Sequence, residues 1–171
     1  MAIISLLEKD QAAQAAKEVY EKFEKEGKQV PEWVKVMAHR PEILKEFFEL
    51  FKVVMGPGKI ESLLKWKIAY TVSDTLRCPF CVDVTVKMMK TLGADGQIIE
   101  KTKGGREIPE KEKQLLELVK EVTTEAQVCN QELFKQLKEN FSEEQIVEIV
   151  SIIGLFNYIN RFNNTFCILP E

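Results

Sequence analysis

Apolar residues recur at three- and four-residue spacings along nearly the whole chain, the pattern of helices that each bury one face. Ala12, Ala13, Ala16, Val19, Tyr20 and Phe23 form one such stripe, which ends before Gly27. Pro41 suits a first helical turn, and Ile43, Leu44, Phe47, Phe48 and Phe51 make a second stripe that Gly56, Pro57 and Gly58 close. Leu63, Leu64, Ile68 and Val72 keep the helical period, although "IAYTVS" taken alone also has the residue preferences of a strand. Val82, Val86, Met89 and Leu92 continue at helical spacing as far as Gly93. Residues 95–107 are polar, contain Gly104 and Gly105, and read as a loop or as a short helix followed by a turn. Pro109 opens the next helix, whose core face is Leu115, Leu116, Leu118, Val119 and Val122.

The last helix, over residues 142–165, has the clearest start, because Ser142 and Gln145 fit a capping box. Ile146, Val147, Ile149, Val150, Ile152, Ile153, Leu155, Phe156, Tyr158 and Ile159 make it apolar on more than one face. Such a helix is central or lies in a subunit interface. No internal repeat, low-complexity tract or long linker interrupts the pattern. The expected architecture is all-α, with six or more helices in a single domain spanning residues 1–171.

Composition narrows the function. A chain of 171 residues buries enough surface to fold without structural disulfides. The formal net charge is −3 and no basic tract stands out, which argues against a nucleic-acid partner. The opening "MAIISLLEKD" has no basic leader and too short an apolar stretch for a secretory signal, and "IVSIIGLF" is far short of a membrane span. The expected location is therefore the cytoplasm, away from membranes. Cysteines there are thiols by default, so a close pair points to metal or redox chemistry.

Two of the four cysteines, Cys78 and Cys81, form such a pair in "DTLRCPFCVDVT". Three chemistries fit two thiols at this spacing. A structural zinc site needs about four ligands; here Cys129 and Cys167 lie far away in sequence and His39 is the only histidine. A glutaredoxin-like site needs strands and a downstream cis-proline beside the thiols, whereas Pro109 begins the helical pattern "IPEKEKQLLELV". The third possibility is a thiol couple at the head of a helix in an all-α fold.

Three blocks bear on that choice: "HRPEILKEFFELFKVVM", "LLKWKIAYTVSDTLRCPFCVDVTVKMMKTLG" and "FSEEQIVEIVSIIGLFNYINRFNN". Their order, the CxxC with "VD" directly after it, and a terminal helix with Asn157, Asn160 and Arg161 resemble the carboxymuconolactone decarboxylase-like superfamily, in its alkylhydroperoxidase-D-like (AhpD-like) branch. The resemblance covers most of residues 33–165. It implies an all-helical fold, with residues 60–93 as the CxxC helix region, assembled as a homotrimer or homohexamer. It implies that Cys78 and Cys81 cycle between dithiol and disulfide, reducing a peroxide or disulfide with electrons from a thiol partner protein or small dithiol, without a cofactor or metal. In active members a histidine four residues after the second cysteine and a glutamate twelve before the first relay protons to the second cysteine, and the first resolves the sulfenic acid. This sequence has Thr85 and Trp66 at those positions.

The departures change the chemistry. A thiol with an unperturbed pKa of ~8.5 is only a few per cent ionised at neutral pH. Lowering it by two units takes about 2.7 kcal/mol, and a helix N-terminus supplies about 0.3–1 kcal/mol. Arg77 is adjacent to Cys78, and Thr85 can donate a hydrogen bond to Cys81 across one helical turn but cannot shuttle a proton as imidazole does. Asp74, Asp83 and Lys87 are candidate substitutes. The dipole favours Cys78 as nucleophile, while the resemblance favours Cys81; the expected exchanging sulfur is Cys78. Two other functions compete: a decarboxylase or lactone-acting enzyme of the same superfamily, and a non-catalytic oligomeric scaffold that has lost the relay. Trp66 and Phe80 read first as core, His39 as structural or exposed, Cys129 and Cys167 as packing residues, and Asn157, Asn160 and Arg161 as structural hydrogen-bonders.

Overall fold

The structure, a computed structural model, describes residues 2–105, 107–125 and 131–170, the side chain of Leu133 excepted. Cys129 lies outside the described residues. Among them all regular structure is helical: α1 (Gln14–Lys25), α2 (Glu32–Met37), α3 (Pro41–Met55), α4 (Ser62–Thr75), α5 (Pro79–Thr91), α6 (Gly96–Gly104), α7 (Glu110–Thr124), α8 (Gln131–Asn140) and α9 (Glu143–Thr165). The local signals act where the sequence places them. Pro41 and Pro79 occupy first turns, and Ser142 and Gln145 form the reciprocal capping box of α9. Residues 95–105 form a short helix ended by a turn: the Asp95 carboxylate accepts the Ile98 amide at 2.8 Å, and left-handed Gly105 ends α6.

The segment that also resembled a strand is the middle of the most enclosed helix. Along α4 the side chains of Trp66, Ile68, Ala69, Tyr70, Thr71, Val72 and Ser73 are all buried. Its hydroxyls turn back on the helix: Thr71 donates to the Lys67 carbonyl at 2.9 Å, Ser73 to Ala69 at 2.8 Å and Thr75 to Thr71 at 2.7 Å. With those donors satisfied internally, a β-branched, polar-bearing helix can be surrounded by apolar neighbours. α4 packs chiefly against α5, α9 and α7, and the fully buried Ile68, Leu115, Leu118, Ile149, Ile152 and Met89 lie in the shared core.

α4 and α9 run side by side in the same direction, so that Lys65 meets Glu148 near their starts and Ser73 meets Asn160 near their ends. Lys65 is 1% exposed and donates to the Val54 carbonyl at 2.9 Å and the Gly56 carbonyl at 2.7 Å while pairing with Glu148. The Glu148 carboxylate also accepts the Lys59 amide at 2.7 Å and the Ile60 amide at 3.2 Å. Gly58 matters beyond ending α3, because a Cβ there would collide with that carboxylate. Among the described residues no helix is long and apolar enough to cross a membrane.

Candidate functional site

Cys78 sits where two helices abut. The Cys78 amide donates to the Ser73 carbonyl at 3.1 Å and the Arg77 amide to the Asp74 carbonyl at 3.1 Å. These are the paired bonds of a Schellman motif ending α4, with Arg77 in the left-handed position usually given to glycine, at φ +51°. A side chain there costs about 1–2 kcal/mol. One residue later the chain is already helical again, with Cys78 as the N-cap of α5 and Pro79 at its first position. Proline needs no amide partner there, so it tolerates the abrupt start.

The cap itself is sulfur. Cys78 Sγ accepts the Cys81 amide at 3.4 Å. The Cys81 thiol also hydrogen-bonds to it, and this is the main influence holding the Cys78 thiol below its ordinary pKa; burial opposes it, and the Cys81 and Phe80 amides add to it. For Cys81 the signs reverse. Its hydrogen bond to Cys78, then burial, then the charge on a Cys78 thiolate push its pKa up, and Asn163 opposes them. Asn163, 1% exposed, donates its Nδ2–H to Cys81 Sγ at 3.4 Å. Both cysteines are free thiols, Cys78 with no exposed surface and Cys81 with 4%. Neither sulfur therefore presents more than a trace of surface to solvent.

Several side chains that the sequence placed near the pair do other things. Thr85 is buried, but its hydroxyl donates to the Val82 carbonyl at 2.9 Å and not to Cys81. Asp83 and Lys87 pair with each other at 2.7 Å on the outer face of α5. Asp74 interacts with Tyr70, whose hydroxyl is pushed up to about 12 by burial first and then by the Asp74 and Glu100 charges. Arg77 is exposed and its contribution is the left-handed turn. Trp66 packs against Phe51 and Phe156 in an aromatic core. His39 Nε2 hydrogen-bonds the Ser5 carbonyl at 2.9 Å, tying down the N-terminal segment. Phe80 is half-buried, while Arg161 and Cys167 are exposed.

The α9 asparagines divide by role. Asn157 bonds its own helix at the Ile153 carbonyl, 3.1 Å away. Asn160, fully buried, donates to the Phe156 carbonyl at 2.6 Å and to the Ser73 hydroxyl at 3.2 Å. Sequence reasoning missed Asn163. The available signal was its spacing, since residues three apart on a helix share a face and Asn163 follows Asn160 by three.

No family model and no curated protein matches the chain. Solved structures do. An uncharacterized peroxidase-related protein with an alkylhydroperoxidase AhpD core, from Ralstonia eutropha, superposes with a TM-score of 0.89 over 99% of this chain and 92% of its own, at 19% identity. The chain has the AhpD-like fold. The debrominase Bmp8 matches with a TM-score of 0.85 over 99% of this chain and 92% of its own, at 23% identity. A protein of unknown function from Agrobacterium tumefaciens, named for AhpD-type antioxidant defence, matches 80% of this chain and 95% of its own with a TM-score of 0.69, at 28% identity. The all-helical AhpD-like fold bears out the architecture expected from the three sequence blocks and leaves no strands, among the described residues, for a glutaredoxin-like site.

Proposed function

We propose that this AhpD-like chain is a thiol–disulfide oxidoreductase with peroxidase-type activity, acting as one domain through Cys78 and Cys81. The observation that carries the reading is the sulfur N-cap: Cys78 receives hydrogen bonds from the Cys81 amide and thiol, and its pKa is held down. Thiolate character is what a thiol needs to attack. Cys78 is the exchanging sulfur. As a thiolate it attacks the peroxide oxygen, the O–O bond breaks, the departing alkoxide takes up the proton that Cys78 lost on ionising and leaves as the alcohol, and Cys78 becomes a sulfenic acid. Cys81 attacks that sulfur, a disulfide forms and water leaves. A partner dithiol then returns two electrons and two protons.

Thr85 and Trp66 supply no proton relay, so peroxide turnover is slow compared with thiol–disulfide exchange. The chain works as a homotrimer or homohexamer. An apolar groove of about 530 Å3 between α3 and α9, bordered by Ile43, Leu50 and Tyr158, supports self-association. One observation favours a second reading, a scaffold that kept the fold without the chemistry: neither sulfur has a clear path to solvent.

Consumption of an alkyl hydroperoxide with a dithiol donor, and exchange with a small disulfide, separate the two readings when wild type is compared with Cys78→Ser and Cys81→Ser. A brominated pyrrole belongs in the substrate panel, because the neighbour Bmp8 is a debrominase seen in complex with 2,3,4-tribromopyrrole. Loss of activity in both serine variants supports the oxidoreductase. Equal rates in all three proteins leave the scaffold.

A further inference from the structure

Two buried polar atoms lack partners among the described residues, the side-chain oxygens of Asn160 and Asn163. Buried amides are normally satisfied, and an exception calls for an explanation. The two amides are held differently. Turning the Asn160 amide over would break its bonds to the Phe156 carbonyl and the Ser73 hydroxyl. Asn163 makes one described side-chain bond, to Cys81 Sγ at 3.4 Å, and its oxygen is free. A half-turn of this carboxamide exchanges N–H for C=O at the sulfur and sacrifices nothing else. A thiolate needs a donor and a thiol needs an acceptor for its S–H; one carboxamide carries both.

We propose that Asn163 is the positioning residue for Cys81, a turning carboxamide that accepts from the Cys81 thiol once Cys78 is taken up in the mixed disulfide and donates to the Cys81 thiolate that follows. The proposal rests on the Cys78–Cys81 pair being a redox couple. In the first step the Cys78 thiolate attacks a substrate disulfide RSSR, one RS⁻ leaves and takes up the proton lost from Cys78, and a Cys78–SR mixed disulfide forms. In the second, Cys81 gives up its proton, its thiolate attacks Cys78 Sγ, the Cys78–SR bond breaks, and the departing RS⁻ takes that proton. The sum is one dithiol and RSSR giving one disulfide and two RSH. Asn163 acts in the second step, where a buried sulfur that resists ionisation must become an anion. It takes over the stabilising part of the job that a histidine four residues after Cys81 would perform, without carrying the proton.

The test is an ultraviolet thiolate titration of Cys81 in the full chain carrying Cys78→Ser, Cys129→Ser and Cys167→Ser. Asn163→Leu, which removes both ends of the amide at similar volume, raises the Cys81 midpoint by about one unit, the equivalent of one hydrogen bond to a charged group. With the cysteine pair intact, the same substitution slows closure of the mixed disulfide about tenfold at neutral pH, and the deficit shrinks as the pH rises. Asn163→Asp, nearly isosteric, keeps the acceptor and loses the donor; it raises the midpoint at least as far and serves alone if the leucine variant does not fold. Asn160→Leu leaves the midpoint in place. An unchanged midpoint in a folded Asn163 variant overturns the proposal. A wild-type protein that never forms the Cys78–Cys81 disulfide overturns the redox reading instead, and the titration still judges the contact.

Discussion

Along the contact between α4 and α9 lie two buried polar clusters. Near the helix starts, Lys65 meets two carbonyls and the Glu148 carboxylate, and Glu148 meets two backbone amides as well. Near the helix ends, Ser73, Asn160, Asn163 and Cys81 share a smaller set of bonds, and two amide oxygens are left over. The first cluster is closed: each charge is matched, and it clamps the end of α3 to both helices. The second has spare capacity. Low dielectric makes a completed polar network stiff and an incomplete one costly. A fold that carries both along one helix contact, the second reaching across to Cys81 of α5, separates a latch from a place where bonds must change.

The largest effect should come from opening the latch. Lys65→Met removes the buried cation and leaves the partly exposed Glu148 carboxylate with only its two backbone amides, a loss of charged hydrogen bonding that typically costs about 1.5–3 kcal/mol. Denaturant unfolding measures it, and a loss below about 1 kcal/mol would mean that the network is not the structural element described. The wild type should show the same dependence in acid. Burial pushes the Glu148 pKa up, but Lys65 and the Lys59 and Ile60 amides together hold it below its ordinary 4.5. A group whose folded pKa is depressed binds fewer protons folded than unfolded, so its stabilisation is present above the ordinary value and is lost as the pH falls below about 4.5. Lys65→Met should flatten that part of the stability curve while leaving the titration of Cys81 alone.

An intermediate effect distinguishes the two sulfurs of the open cluster. In a Cys129→Ser, Cys167→Ser background, an alkylating reagent should label Cys78 well ahead of Cys81, because the pair shares its hydrogen bonds unequally and Cys78 takes the anionic part. Peptide mapping after brief exposure reads the order, and its pH profile should rise at lower pH than that of an unperturbed thiol near ~8.5. Both rates should be slow in absolute terms, since the joint covers both sulfurs. Labelling of Cys81 first would reverse the assigned roles and return the nucleophile to the position that the family resemblance favoured.

Much of the scaffold was legible in the sequence, for reasons that are local. Helical spacing, prolines in first turns and the Ser142–Gln145 box depend on residues within a turn of one another, and each acts as written. Even "IAYTVS" becomes helical because its hydroxyls satisfy themselves one turn back. The site was only half legible. The CxxC spacing brought Cys78 to a helix start, but Asn163 reaches Cys81 from α9, and its spacing from Asn160 put the two on one face without saying that the face meets α5. Asp83 and Lys87 looked available from sequence because proximity along the chain was all there was to judge by; the helix turns them outward, where they neutralise each other. The latch escaped notice for the same reason, since Lys65 and Glu148 look like ordinary surface charges until two helices run parallel.

The smallest effect is the sharpest test of which neighbour serves Cys81. Thr85 stands one turn beyond it and from sequence was able to donate to its thiolate. Its hydroxyl instead donates to the Val82 carbonyl, as threonines in helices commonly do when no better acceptor is oriented toward them. Thr85→Val keeps the branched shape, removes that donor, and leaves a carbonyl still available to the helix. The cost should be under about 1 kcal/mol, and the Cys81 titration midpoint should stay where the wild-type residue puts it. A midpoint that rises on Thr85→Val as far as on Asn163→Leu would place the threonine hydroxyl at the sulfur after all, and the donor that matters would then come from α5 itself, not from across the bundle.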